Sequence, residues 1–96
     1  MSVCEKIHEV LKIRRDTDDE LTDDLKICWE KETAVLIDNI RETIAFFDDE
    51  CTYDEFYWLS EVFDETADRS QSREFIGCLR RNAERFSDIP MNSKVL

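Results

Sequence analysis

Ninety-six residues, 42% of them hydrophobic, are enough for one domain with its own core and argue against a disordered chain. One Gly and one Pro leave almost none of the punctuation that hairpins need, so the reading is all-α. A formal net charge of −11 repels phosphate backbones and argues against direct nucleic-acid binding.

Ser2 followed by Glu5 is a capping box and opens a first helix. Val3, Ile7, Val10, Leu11 and Arg14 follow at helical spacing, and Lys12, Arg14 and Arg15 suit its C-terminal end. His8 lies beside the Ile7 stripe and reads as a boundary residue, since no nucleophile or orienting carboxylate pattern accompanies it. The run 16–24, DTDDELTDD, shares only composition with a calcium loop. Leu21 stands where an EF-hand needs Gly, and Ile27 where it needs Glu. The run reads as a helix start, with Thr17 and Glu20 as a second capping box.

Leu21, Leu25, Trp29, Leu36, Ile40 and Phe47 then stay in phase on one face, flanked by Ile37 and Ile44. Val35, Cys28 and Phe46 add a second apolar side, which predicts a central position. The stretch is one helix of about 30 residues, ~45 Å long, or two helices. The length favours a break near Glu30–Thr33. Asp48, Asp49 and Glu50 are unfavourable at a helix C-terminus and favourable just before a new N-terminus. Thr52 with Glu55 is a further capping box, so a short turn and an antiparallel partner helix are expected.

Residues 51–68, CTYDEFYWLSEVFDETAD, read as a single two-faced helix. Phe56, Leu59, Phe63 and Ala67, with Ser60, make the apolar side. Asp54, Tyr57, Glu61, Asp64, Glu65 and Asp68 make an acidic side that contains an aromatic ring. Ser70-Gln71-Ser72 breaks the pattern and supplies an N-cap. Phe75, Ile76, Leu79, Ala83 and Phe86 form the last stripe. Arg73, Arg80, Arg81 and Arg85 project from its other sides, towards the carboxylates of the preceding helix. Ile89-Pro90 is expected to end the helix. The chain thus reads as a single domain, 1–96, with a core over 2–87, an irregular tail over 88–96, and four to five antiparallel helices.

The charge is uneven: +2 over residues 1–15, −6 over 16–32, −10 over 38–68 and +3 over 69–96. From Glu42 to Asp68 there is no Lys or Arg. Such a field attracts cationic partners and raises their on-rate. Cys4, Cys28, Cys51 and Cys78 lie too far apart for zinc-type pairs, and Cys4 with His8 would need two further ligands, so no metal is expected. No signal-peptide pattern and no long apolar run is present, which predicts a cytoplasmic protein with free thiols and no membrane partner. With one His, no Gly-rich phosphate loop, no HExxH and no nucleophile elbow, neither enzyme activity nor a cofactor is expected. The class left is recognition.

The run from Glu50 to Glu65, ECTYDEFYWLSEVFDE, followed by Gln71-Ser-Arg-Glu-Phe-Ile76, resembles small helical bacterial immunity proteins of contact-dependent growth-inhibition systems. Trp29-Glu-Lys and Ile40-Arg-Glu-Thr-Ile44 extend the resemblance over about residues 29–77. It implies an all-helical protein that binds and neutralises a cognate toxin domain, and a nuclease with a basic groove suits the charge. The partner-binding residues expected from charge and helix geometry are Asp48, Asp49, Glu50, Asp54, Tyr57, Trp58, Glu61, Asp64, Glu65 and Asp68. A helical adaptor or regulatory subunit with a non-toxin partner is the alternative, and a small ligand-binding bundle is a third reading.

Overall fold

The computed structural model describes residues 2–18 and 20–86. It is an all-α bundle: α1 Val3–Asp16, α2 Thr22–Asp38, α3 Ile40–Asp49, α4 Tyr53–Leu59, a 3-10 turn Ser60–Val62, α5 Phe63–Ser70 and α6 Arg73–Arg85. No strand occurs among the described residues. The expected tail 88–96, with Ile89 and Pro90, lies outside them, and α6 stops before it at Arg85, capped by Phe86.

Local chemistry sets most of the helix starts. Ser2 Oγ accepts the Glu5 amide, Thr52 and Glu55 form a full capping box, and Ser72 Oγ accepts the Phe75 amide. The Thr17–Glu20 box does not form. Thr17 instead ends α1, its hydroxyl donating to the Ile13 carbonyl, and Asp18 Oδ1 accepts the Glu20 amide. Leu21 occupies the N-cap of α2 and gives it no side-chain hydrogen bond.

The long central stretch does divide, but at Asn39 and not at Glu30–Thr33. Asn39 is extended (φ −143°, ψ 92°), so the backbone leaves the helical path there and α2 ends, while its Oδ1 accepts the Glu42 amide and starts α3. Thr43 Oγ1 donates to the Leu36 carbonyl at 2.7 Å, which satisfies one acceptor freed by the break.

Residues 51–68 likewise depart from the single helix. Ser60 Oγ donates back to the Tyr57 carbonyl at 2.5 Å, and Ser60–Val62 tighten into a 3-10 turn. A serine that bonds back to the preceding turn competes with the helical ladder. Three residues at about 120° each rotate α5 by roughly 60° relative to an uninterrupted α-helix. The acidic stripe is therefore split between α4 and α5 and changes direction at the turn.

Phe47 sits at the centre, meeting Phe46, Phe56, Phe63 and Phe75 edge-on at centroid distances of 5.5 to 6.1 Å. Ile7, Leu11, Leu36, Leu59 and Leu79 complete the core around it. The pair α1–α2 runs antiparallel, with Lys6 reaching Asp38 and Thr17 meeting Cys28 at the other end. The pair α3–α6 runs parallel. Cys78 reaches the Ile44 carbonyl, Asn82 reaches Asp48, and Arg85 reaches the Cys51 carbonyl, a constant step along both helices. Thus α3 packs chiefly on α6 and α1, not on the α4 that comes after it across a short turn.

Candidate partner-binding surface

The residues expected to form one acidic face divide into several environments. Asp48 is half-buried and turned towards α6, where Arg81 donates at 2.9 Å and Asn82 at 3.0 Å. Burial alone would raise its pKa, but these bonds together outweigh that and hold the carboxyl below its ordinary range. Arg85 donates to the Asp48 and Cys51 carbonyls. Arg81 and Arg85 of α6 thus serve α3, not the helix before α6, and they supply the cations that the end of α3 lacks. Arg80 and Arg73 remain exposed.

Asp54 pairs with Arg15 of α1, and Glu65 pairs with Arg69 four residues on. Arg69 also grips Glu30 of α2 through two bonds of 2.9 and 3.0 Å, and this pairing lowers the Glu30 pKa. Glu61 is the most altered by the 3-10 turn. It faces inward, held by Arg14 at 2.9 and 3.0 Å, with Arg14 only 4% exposed. Asp64 is half-buried, while Asp49, Glu50 and Asp68 are exposed and have no cation in ion-pair range among the described residues.

The two aromatic anchors also separate. Tyr57 is 39% exposed. Trp58 is half-buried against the core, with the Arg14 guanidinium 4.8 Å from its ring centroid. The Tyr57 ring meets Trp58 edge-on at 5.7 Å.

A buried acid lies near the same place. Glu32 of α2 is fully buried, and neither carboxylate oxygen meets a donor among the described residues. Desolvation, with the nearby Glu61 charge, raises its pKa to about 8 against the partial relief from Arg14.

A further surface did not stand out in the sequence. Ile13, Leu21 and Ile27 are 42%, 52% and 54% exposed, and together they line a groove between the end of α1 and the start of α2. Leu21 sits in phase with the core stripe, yet the chain turns at it and leaves it outside. Ile13 and Ile27 fall out of phase with the stripes of their own helices, and that was the available signal.

All four cysteines are free, and Cys28, Cys51 and Cys78 are buried. Burial raises the Cys78 thiol to about 12 and, with Glu50 beside it, the Cys4 thiol to about 11. His8 Nε2 lies 2.8 Å from Glu55 Oε2 at the α1–α4 boundary. Among the described residues, no group of three or more His, Cys, Asp or Glu is placed to hold a metal ion, and no helix is long and apolar enough to cross a membrane.

The fold and this surface define an acidic all-α domain with partly self-neutralised carboxylates. Comparison with protein-family models, curated proteins and solved structures gives no match.

Proposed function

We propose that this chain is a recognition domain for a cationic protein, and that the partner is a toxin domain, in keeping with the immunity-protein resemblance. A nuclease suits best, because its substrate groove must be basic to hold phosphates. The domain would act by occupying or covering that groove, with no catalysis or cofactor of its own.

The observation that carries this reading is Tyr57, an exposed ring braced by Trp58, which is itself fixed beneath Arg14. An aromatic side chain held in place before binding loses little entropy on contact, the property of a hot-spot anchor. The chain's net charge of −11 supplies the steering, since internal ion pairs cannot cancel that excess.

The test is co-expression with the product of the adjacent gene, followed by a nuclease assay with and without this chain. Full inhibition at equimolar ratio is expected. A stable complex with undiminished activity would replace the toxin reading with the adaptor reading, and failure to associate would remove both for that partner.

The internal pairing of Glu61 changes which substitutions probe the surface. Glu61→Lys would set a cation against buried Arg14 and disturb the fold, so Tyr57→Ala with Asp68→Lys is the informative pair. It should weaken the complex while leaving the helical circular dichroism unchanged.

A further inference from the structure

We propose that the groove between α1 and α2 is a docking site for a basic, amphipathic helix of a protein partner. The inference rests on the proposal that the partner is a cationic protein, and adds where one of its elements seats. Three of the five large exposed hydrophobics among the described residues, Ile13, Leu21 and Ile27, meet in this one groove of about 360 Å³. Isolated exposed aliphatics are ordinary, but their convergence in one concave site is not.

Leu21 adds a second, independent observation. It occupies a helix N-cap, where Ser, Thr, Asp or Asn would satisfy a free amide, and it makes no such bond. A position that forgoes a stabilising residue and exposes an apolar one fits a contact role better than a folding role.

The rim names the occupant's charge. Asp16, Asp18 and Asp24 line the groove and have no cation in ion-pair range among the described residues. Asp48, Asp54, Glu61 and Glu65 differ, being paired within the chain. The groove therefore keeps its field for an incoming Lys or Arg. A second copy of this chain would bring the same carboxylates and repel. Residues 87–96 hold Lys94 but also Asp88, so they bring no net charge to answer the rim. An anionic membrane surface is repelled as well. A helix laid into a groove between two helices, with an aliphatic face inward and cations towards the rim, satisfies both halves of the site.

The last turn of α1 contributes to both this groove and the α4 side of the domain. It presents Ile13 to the groove, while Arg14 and Arg15 reach Glu61 and Asp54 on the other side.

The test uses the nitrogen-15-labelled full chain and an amidated amphipathic helix of leucine and lysine as probe. Two control peptides replace its lysines with glutamate or its leucines with serine. Amide shifts should centre on Ile13, Leu21 and Ile27 with the leucine–lysine peptide alone. The Ile13→Ser/Ile27→Ser variant, altered only at exposed positions, should lose at least about tenfold in affinity with its circular dichroism unchanged.

Shifts centred on Tyr57 and Asp68 would overturn the groove while leaving cationic recognition standing. No saturable binding of either lysine peptide would remove both. An undiminished affinity of the double variant would also overturn the groove. So would groove shifts on deleting residues 87–96, or a dimer that the variant dissociates, by naming a different occupant.

Discussion

Arg14 and Glu61, forty-seven residues apart, form a bidentate pair at 2.9 and 3.0 Å that ties α1 to the 3-10 turn. Arg14 is buried and its guanidinium also covers Trp58, so its removal leaves the half-buried Glu61 carboxylate without its cation. Arg14→Met should cost about 3 kcal/mol, as for a broken buried pair. Arg14→Met with Glu61→Leu should recover most of that loss, because the apolar replacements remove both charges of this pair. Urea unfolding of both variants checks this. A double variant less stable than the single one would contradict it.

Glu32 gives the domain an unusual pH response. Its folded pKa of about 8 exceeds the ordinary 4.5, so the folded state holds the proton more tightly than the unfolded chain. Stability therefore falls as pH rises through the window from 4.5 to about 8, and the penalty is complete above it. The loss from pH 5 to pH 8 should be on the order of 3 kcal/mol from this group. Glu32→Gln should flatten the profile and be the more stable form at pH 8. Equal slopes for the two proteins in denaturant titrations would refute the assignment.

The α3–α6 clamp makes the opposite contribution at low pH. The Asp48 pKa is lowered in the fold, so its stabilisation is present above the unfolded value and disappears as pH falls through the folded one. Asp48→Ala loses the bonds from both Arg81 and Asn82, while Asp48→Asn keeps an acceptor for Asn82. The alanine variant should be the weaker, by about 1 kcal/mol. The Arg85 bonds to main-chain carbonyls survive either change, so thermal melts should stay cooperative.

Gln71 closes α5 in the left-handed region, with φ at 52°, and it is the only non-Gly residue with positive φ among the described residues. Gly tolerates that conformation without a Cβ clash. Gln71→Gly should stabilise the fold by about 0.5 kcal/mol, after the lost bond from Gln71 to the Asp68 carbonyl is discounted. A lowered melting temperature would show that this bond outweighs the backbone relief.

The parts of the fold legible in the sequence were those set by neighbours along the chain. The caps at Ser2, Thr52 and Ser72 depend on a residue three places on, and all three form. Phe56, Leu59 and Phe63 keep helical spacing closely enough to survive the 3-10 turn as core. The breaks were not legible. Asn39 and Ser60 each end a helix by one side-chain or backbone choice, inside apolar patterns that continue past them. Thr17 looked like a cap for the next helix and instead finished the previous one. The charges were hardest, because periodicity shows which face a residue occupies but not which helix lies opposite. Tyr57 stayed outside as expected, while Glu61 and Asp48 acquired arginines from α1 and α6.

The parallel seating of α6 on α3 bears on how the protein is made. Asp48, at the crowded acidic end of α3, is met by Arg81 and Asn82, and its carbonyl by Arg85, and these lie 33, 34 and 37 residues further on. A nascent chain released only as far as α5 holds Phe46 and Phe47 with no α6 to cover them. The entropy of closing so long a loop must be met before its contacts form. Completion of the fold therefore waits on the release of α6, and a chain truncated ahead of Arg81 would be a substrate for proteolysis instead of a smaller working domain.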